Sequence, residues 1–259
     1  MPSLQDRVVL VSGGTQGVGA GVARAAARSG ATVVVTGRRT DVGERTERQL
    51  RELGSDDAWF VPADVADVAQ AQDSVRRTVE RYGRIDSLVN AAGLTTRGTL
   101  LDTTPELFDA HVAVNLRAPF FLMQAAVADM LRRHSAGTIV NIITMSAHGG
   151  QPYLAPYVAA KAGLFGLTRN AAYAHRWDRI RINGINIGWT ETEGEDHVQR
   201  SYHGGQDDWL DVAAKSVPMG KLGQVDEIAE FVILLLSDRS GVVTGSIVDW
   251  DQTVIGAHD

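Results

Sequence analysis

The sequence contains no cysteine, so it can form no disulfide and offers no thiolate for catalysis or metal binding. It also lacks any apolar run near the ~18 residues that a membrane span needs. Its N-terminal stretch, MPSLQDRVVLVSGG, has neither the cationic start nor the apolar stretch of a secretion signal. These absences favour a cytoplasmic protein that does not contact a membrane.

A basic surface is lacking as well. The 259 residues carry a formal net charge of −6 and contain no long basic run, which argues against nucleic-acid binding. Hydrophobic residues make up 44% of the chain and charged residues 22%, as in folded soluble proteins. No Pro/Gly/Ser-rich linker, repeat or low-complexity tract divides the sequence, so we expect a single domain over residues 1–259.

Short runs rich in β-branched residues alternate with longer amphipathic segments. Such alternation implies right-handed crossovers and a parallel sheet with helices on both faces, and the nearly all-apolar central strands agree with burial on both sides. The sequence therefore predicts an α/β fold, a single-domain Rossmann-type doubly wound sheet of about seven strands. The predicted strands are Arg7–Ser12, Thr32–Thr36, Ala58–Val61, Ile85–Asn90, Thr138–Ile143, Arg181–Ile187 and Ser246–Trp250. The predicted helices are Val18–Ser29, Asp41–Leu53, Val68–Tyr82, Glu106–Arg133, Pro156–His175 and Val225–Leu236.

A glycine-rich turn follows the first predicted strand and leads directly into a helix. Glycines let the backbone turn tightly and approach a pyrophosphate, whose charge is favoured by a helix N-terminus. The spacing Gly13-x3-Gly17-x-Gly19 differs from G-x-G-x-x-G, so the cluster alone could be only a tight turn. The candidate cofactor-binding residues here are Gly13, Thr15, Gln16, Gly17, Val18 and Gly19.

Two arginines follow the second predicted strand, where an NAD enzyme of this architecture usually has an acid for the ribose hydroxyls. Arg38 and Arg39 can instead bind a 2′-phosphate through paired, charge-assisted hydrogen bonds. The alternative is a pair of solvated arginines. NADP is therefore the preferred cofactor, with NAD kept as the second candidate.

Tyr157 and Lys161 form a Tyr-x-x-x-Lys pattern that resembles the motif of the short-chain dehydrogenase/reductase family. Four more motifs follow the family in order and spacing, so the resemblance covers nearly the whole chain. The glycine turn Gly13–Gly19 resembles the family's own glycine motif, and Asp64-Val65 resembles its adenine-contacting pair. Asn90-Ala91-Ala92-Gly93 resembles its fourth-strand signature, and Asn115 falls where the family has its catalytic asparagine. The resemblance implies an oxidoreductase that transfers a hydride between a nicotinamide cofactor and a carbonyl or secondary alcohol.

Helical spacing supports a functional pair of Tyr157 and Lys161. Residues i and i+4 share a helix face, so the two side chains can lie close together. A free tyrosine has a pKa of about 10, and a nearby ammonium favours the phenolate, so we expect the pKa of Tyr157 to be lowered. This prepares Tyr157 as general acid and base. The resemblance implies that Lys161 also binds the nicotinamide ribose and helps to relay the proton.

The expected hydroxyl partner of Tyr157 departs from the family pattern. The family usually has a serine thirteen residues before the tyrosine, and here that position is Thr144. Threonine keeps the hydroxyl that can donate to a substrate carbonyl, although its methyl group stiffens χ1. Ser146 is the alternative, two residues further along.

Asn115 lies four residues before Pro119 in a long helical pattern. Proline has no N–H, so the carbonyl of Asn115 loses its usual helical donor and the helix should kink there. The resemblance implies a proton relay in which this carbonyl holds a water that leads to Lys161. We hypothesise that Pro119 frees the carbonyl, the alternative being a kink that serves packing alone.

A later loop, Ile187-Gly188-Trp189-Thr190-Glu191-Thr192, resembles the family's Pro-Gly-x-x-x-Thr loop, with Ile187 in place of the proline. The resemblance implies that Gly188, the backbone of Thr190 and the hydroxyl of Thr192 contact the nicotinamide carboxamide. Ile187 does not fix the backbone as proline does, so we expect a less rigid loop with the same role.

The substrate pocket is expected between residues 95–97, residues 146–153 and the segment 191–216, a polar excursion from the sheet. Its polar side chains favour a hydroxylated substrate such as a sugar or polyol, although some could be ordinary surface residues. No metal site is expected, because His197 and His203 lack a matching ligand cluster. The candidate substrate residues are Ser146, His148, Gln151, Tyr153, Trp189 and His197, with Glu193 and Tyr202 also lining the pocket.

The last predicted strand should lie at the edge of the sheet, and an apolar edge needs a cover. The resemblance implies a homo-oligomer, a dimer or homotetramer, although Asp249-Trp250-Asp251 replaces the family's Asp-Gly-Gly.

Two other functions stay open. A catalytically silent cofactor-binding regulator would be expected to lack Tyr157 or Lys161, and an epimerase or dehydratase of the same fold usually carries a longer C-terminal substrate domain.

Overall fold

Each run predicted as a strand forms one in the computed structural model, which describes residues 4–55 and 57–256. The bounds differ from the predicted ones by one or two residues, as is usual at strand ends. The main strands are β1 (Val8–Ser12), β2 (Thr32–Gly37), β3 (Trp59–Pro62), β4 (Ser87–Asn90), β5 (Gly137–Thr144), β6 (Ile180–Ile187) and β9 (Ile247–Trp250). Two short strands that the sequence did not predict are β7 (Thr190–Glu191) and β8 (Gly223–Gln224).

The seven main strands form one sheet in the order β3-β2-β1-β4-β5-β6-β9, and every neighbouring pair is parallel. This confirms the predicted doubly wound parallel sheet and places β9 at its edge. The chain reverses direction across the sheet between β1 and β4, which opens a crevice at the carboxyl ends of these strands. β7 and β8 pair separately as a two-stranded ribbon.

Alternate side chains of the strands enter two apolar cores, one on each face of the sheet. Val9 and Val11 of β1 belong to one core, and Leu10 between them belongs to the other. The helices that cover the sheet are α1 (Gly17–Arg28), α2 (Thr40–Glu52), α3 (Val68–Tyr82), α4 (Pro105–Val112), α5 (Ala118–Arg132), α6 (Ala155–His175) and α9 (Val225–Leu236). No helix within the described residues is long and apolar enough to cross a membrane.

The predicted helix Glu106–Arg133 is interrupted. Helices α4 and α5 are joined by a π-helical turn at Ala113–Arg117, in which the amide of Ala118 donates to the carbonyl of Ala113. Pro119, which cannot donate a helical hydrogen bond, follows directly. The helical bonding therefore changes just before Pro119, in a widened turn that contains Asn115. The kink and the freeing of the Asn115 carbonyl stay predictions.

The segment 191–216 contains two helices that the polar sequence did not predict, α7 (Glu193–Tyr202) and α8 (Trp209–Lys215). Trp209 and Ala213 of α8 pack with Leu222 in a small apolar cluster, separate from the two cores of the sheet. The indole of Trp209 donates to Asp196 of α7 at 2.7 Å. This hydrogen bond and the apolar cluster stabilise the segment beside the carboxyl ends of the strands.

Candidate active site

The carboxyl ends of four adjacent strands bring the predicted site residues together. Ser12 of β1 lies opposite Asn90 of β4, and Thr144 of β5 lies opposite Ile187 of β6. Parallel strands end at the same edge of a sheet, so residues distant in the sequence meet here.

Two glycines of the turn, Gly13 and Gly19, leave no room for a side chain. Gly13 has a φ of +73°, and a Cβ there would lie 2.6 Å from the backbone of Ala92, while a Cβ on Gly19 would overlap the carbonyl of Gly13. Helix α1 begins at Gly17, and the side chain of Gln16 caps none of its first N–H groups. A tight cradle at an uncapped helix N-terminus fits the pyrophosphate of a dinucleotide.

Two buried polar atoms near this turn have no partner among the described residues, the hydroxyl oxygen of Ser12 and the amide oxygen of Asn90. The amide nitrogen of Asn90 donates to Asn141 at 2.8 Å, and Asn141 in turn donates to Thr168 at 2.8 Å. This chain fixes Asn90 and turns its unpaired oxygen away from Asn141. Buried acceptors without partners are costly and are consistent with a ligand at this point.

Other predicted cofactor residues follow strands β2 and β3. Arg38 and Arg39 follow β2, are exposed, and pair with no carboxylate in the described part of the chain. Arg39 donates to the side-chain oxygen of Gln16 at 2.6 Å, which joins the arginines to the glycine turn. Asp64 caps its own loop by accepting from the amide of Ala66 at 3.0 Å.

Lys161 is buried on α6, four residues after Tyr157. Its ammonium donates to the carbonyl of Ile142 at 2.8 Å and lies 5.8 Å from the centre of the Tyr157 ring. Burial disfavours the charged form and lowers the pKa of Lys161 to about 8.

The expected lowering of the pKa of Tyr157 is wrong for this structure. Burial raises the pKa of Tyr157 to about 12, and a side-chain hydrogen bond with Thr144 and the charge of Arg97 oppose that rise. Sequence reasoning weighed only the ammonium of Lys161 and not the loss of water around the phenol.

Of the two hydroxyl candidates, Thr144 is the one with a hydrogen bond to Tyr157, as the register from the strand end predicts. Its hydroxyl donates to that of Ser146 at 3.2 Å, and Ser146 donates to Gln151 at 2.8 Å. Ser146 is therefore one hydrogen bond further from the phenol. The catalytic role of Thr144 stays a prediction.

Asn115 lies fully buried in the π-helical turn and holds the loop after β4. Its side chain accepts from the amide of Leu94 and donates to the carbonyl of Leu94, both at 3.0 Å. It also donates to Nδ1 of His111 at 3.1 Å, and the other ring nitrogen of His111 donates to the carbonyl of Thr96 at 3.0 Å.

His111 is a site residue that sequence reasoning missed. It is fully buried, and its ring meets that of Tyr157 edge to face at 6.2 Å between centroids. Burial lowers the pKa of His111, and its bond pattern requires the neutral ring. The only signal in the sequence was the i,i+4 spacing to Asn115.

The Gly188–Thr192 loop lies over the glycine turn, because the methyl group of Thr192 is 3.9 Å from where a Cβ on Gly17 would be. The hydroxyl of Thr192 caps α7 by accepting from Glu195 at 3.0 Å, and that of Thr190 donates to the carbonyl of Gly188 at 2.9 Å. Ile187 continues β6, and the amide of Gly188 donates to Trp250 of β9 at 3.2 Å. Sheet pairing therefore holds the loop where the family has proline.

The predicted substrate residues divide into two groups. Tyr153 packs against Arg97, Gln151 accepts from Ser146, and Trp189 donates to Glu195 at 2.8 Å, so these three line the mouth of the site. His148 instead contacts Asp249 and Asn186 at the end of the sheet, and His197 and Glu193 lie exposed on α7. Within residues 4–55 and 57–256, no group of three histidine or acidic side chains could hold a metal ion.

The family model described as enoyl-(acyl carrier protein) reductase matches residues 13–253. The chain belongs to the short-chain dehydrogenase/reductase family. This short-chain dehydrogenase/reductase is 34% identical over 250 residues to an uncharacterized oxidoreductase of Thermotoga maritima, covering 96% of this chain and 97% of that one.

Its fold is similar to that of levodione reductase, with a TM-score of 0.89, 31% identity, and coverage of 96% of this chain and 97% of that one. It is also similar to NAD+-bound xylitol dehydrogenase, with a TM-score of 0.87, 26% identity, and coverage of 96% and 99%. Members of the family are oxidoreductases that use NAD or NADP.

Proposed function

We propose that the protein transfers a hydride between a nicotinamide cofactor and a carbonyl or secondary alcohol, with Tyr157 as general acid and base. The observation that carries this proposal is the contact of Tyr157 with Thr144 at the end of β5, beside the buried ammonium of Lys161. A silent regulator would have no need of a buried lysine, whose burial is costly.

The nicotinamide ring, when bound, supplies the hydride to the carbonyl carbon or accepts it from the alcohol. In reduction, the phenol of Tyr157 donates its proton to the substrate oxygen, and the hydroxyl of Thr144 donates a hydrogen bond to that oxygen. A pKa of about 12 keeps Tyr157 protonated and ready to donate at neutral pH. The ammonium of Lys161 stabilises the phenolate that results, and we place the carbonyl of Asn115 in the relay that returns the proton.

We propose NADP as the cofactor, because Arg38 and Arg39 are exposed beside the glycine turn with no carboxylate partner among the described residues. NAD is the alternative, and the similar xylitol dehydrogenase was solved with NAD+. The residues proposed to hold the cofactor are Gly13, Thr15, Gln16, Gly17, Val18, Gly19, Arg38, Arg39, Asp64, Val65, Asn90, Ala91, Gly93, Tyr157, Lys161, Gly188, Thr190 and Thr192.

For the substrate we propose a hydroxylated carbonyl compound related to sugars or polyols, because polar side chains line the mouth of the site. The name of xylitol dehydrogenase agrees with this class. We also propose a cytoplasmic homo-oligomer, a dimer or tetramer that covers the edge of the sheet at β9.

The test is an activity screen of NADPH and NADH against ketoses, oxo acids and cyclic ketones. We expect stoichiometric consumption of NADPH by the wild type and none above background by Tyr157→Phe. Thr144→Ala should lose most turnover, and Ser146→Ala should keep more of it. Full turnover by Tyr157→Phe would contradict the proposal, and full turnover by Thr144→Ala would contradict the role of Thr144.

A further inference from the structure

Arg97 presents a positive charge at the mouth of the site without an acidic partner. It is half-buried, and no carboxylate in the described part of the chain lies within ion-pair distance of it. Its contacts use two of the five N–H donors of a guanidinium, one to the carbonyl of Thr95 at 3.0 Å and one to His203 at 3.2 Å. The Nε atom is buried and has no hydrogen-bond partner among the described residues.

Two tyrosines hold this guanidinium in place. Its central carbon lies 5.4 Å from the ring centre of Tyr153 and 5.9 Å from that of Tyr202. Tyr153 precedes α6 and Tyr202 ends α7, so Arg97 joins the loop after β4 to the two other predicted walls of the pocket. Packing against aromatic faces restrains the side chain and reduces the entropy lost when a ligand binds.

The loop that carries Arg97 is fixed against the helix of Tyr157. The amide of Gly98 donates to the carbonyl of Tyr153 at 3.0 Å, and the carbonyl of Gly98 accepts from Ala155 at 3.0 Å. Both contacts lie within four residues of Tyr157. Burial is the largest influence on the pKa of Tyr157, and among charged side chains Arg97 lowers it more than Glu195 raises it. These backbone bonds and this electrostatic influence both place the guanidinium of Arg97 on the same side of the site as the phenol of Tyr157.

Arg181 is another half-buried arginine, but its guanidinium is bonded to acceptors of the protein itself. It donates to the carbonyl of Ser237 at 2.9 Å and to the hydroxyl of Ser240 at 2.6 Å, with the carbonyl of Leu235 at 3.2 Å. Protein acceptors therefore surround Arg181, whereas most donors of Arg97 have none. A partly desolvated charge with unused donors is unfavourable unless an anion binds to it.

We propose that Arg97 binds an anionic group of the substrate, a carboxylate, sulfonate or phosphate, so that this enzyme acts on anionic rather than neutral carbonyl compounds. The inference rests on the proposed function and narrows its substrate class, for example to sugar acids or sugar phosphates. Glu195, the nearby acid, is held by Trp189 at 2.8 Å and Gln199 at 2.7 Å, so its carboxylate is already partnered.

The test compares matched anionic and neutral substrates with NADPH or NADH. The pairs are dihydroxyacetone phosphate with dihydroxyacetone, 4-oxopentanoate with its methyl ester, and 2-oxopropanesulfonate with butanone. For the wild type we expect kcat/KM to be about 10- to 100-fold higher for at least one anion than for its neutral partner, the range expected for one charge-assisted contact. The preferred anion identifies the group that is bound.

Arg97→Gln should lower kcat/KM for that anion about 10- to 100-fold, mainly through KM. Its activity on the neutral partner should change by less than about threefold, which also shows that the variant is folded and that the effect is not exerted through the pKa of Tyr157. Arg97→Lys should keep part of the preference, because it retains the charge without the planar fork. Arg28→Gln, at an exposed arginine at the end of α1, is the control of equal charge and should change neither value.

Equal loss on both members of every pair, or no anionic preference in the wild type, would overturn the role of Arg97 while the proposed reaction stands. Absence of any turnover by the wild type, with both cofactors and all six compounds, would instead overturn the proposed function and this inference with it.

Discussion

Lys161→Met replaces a buried ammonium with an apolar side chain of similar length, and it should separate the stability cost of this lysine from its function. Lys161 is 5% exposed, and its pKa falls from 10.5 to about 8 because burial disfavours the charge. Since one pKa unit corresponds to about 1.4 kcal/mol, the charged lysine costs the folded state about 3 kcal/mol.

The direction with pH follows from proton binding. Between pH 8 and 10.5 the unfolded chain holds a proton on this lysine that the folded protein has released. The free energy of unfolding therefore rises with pH across this interval. The free-energy cost of the buried charge is fully present below pH 8 and disappears above pH 10.5. From pH 7 to pH 10 the lysine should add about 2.5 kcal/mol to the stability of the wild type.

At pH 7 the methionine variant should be more stable than the wild type by about 2 kcal/mol, because the hydrogen bond to Ile142 offsets about 1 kcal/mol of the gain. At pH 10 the two proteins should be nearly equal. Urea unfolding at one protein concentration measures both values. Lys215→Met, at an exposed lysine of α8, is the control and should show no such change with pH.

A gap between Lys161→Met and wild type that is the same at pH 7 and pH 10 would refute the reasoning, because it would mean that burial does not lower the pKa of Lys161. The variant should also lose activity, so that stability and turnover change in opposite directions.

Two further substitutions test other parts of the site. His111→Phe keeps a ring beside Tyr157 but removes both ring-nitrogen bonds, so we expect about 1–3 kcal/mol lower stability by urea unfolding and a lower kcat with little change in KM. Because burial lowers the pKa of His111, the wild type should also lose stability as the pH falls below 6.5, and His111→Phe should lose less. We expect the lower kcat because His111 holds Asn115 and packs against Tyr157, and an unchanged kcat would contradict that expectation. Arg38→Gln and Arg39→Gln should each raise the KM for NADPH about 10-fold and that for NADH by less than about threefold. Equal effects on the two cofactors in initial-rate measurements would contradict a 2′-phosphate site.

The parallel sheet could be predicted because its strands are short, apolar and separated by helices of regular period. Val9, Leu10 and Val11 are buried on alternate faces, and burial on both sides gives a continuous apolar run that is easy to recognise. The segment 191–216 was less predictable. Its helices α7 and α8 have only ten and seven residues, too few to be stable alone, and their stability comes from contacts such as that of Trp209 with Asp196.

Within the site, the sequence indicated residues that recur in a motif and missed those defined by long-range contacts. Thr144 was found by its distance from Tyr157 along the chain, and the structure brings the two into contact. From the sequence, Arg97 was expected only to be one of the residues that line the pocket. Its role could not be predicted, because it depends on contacts with Tyr202 and His203, which lie more than one hundred positions away in the sequence. The sign of the pKa shift at Tyr157 could not be derived, since desolvation depends on packing that a sequence does not display.

The small apolar cluster of Trp209, Ala213 and Leu222 has a consequence for how this enzyme could change its specificity. Because the cluster is separate from both cores of the sheet, substitutions in the segment 191–216 need not disturb the layers that hold Asn115, Thr144, Tyr157 and Lys161. Natural variation or loop exchange after Thr192, which has to stay as a proposed cofactor contact, can therefore retarget the same hydride chemistry. For protein engineers, the part of the segment that carries α8 is a place to vary specificity while both cores of the sheet stay unchanged.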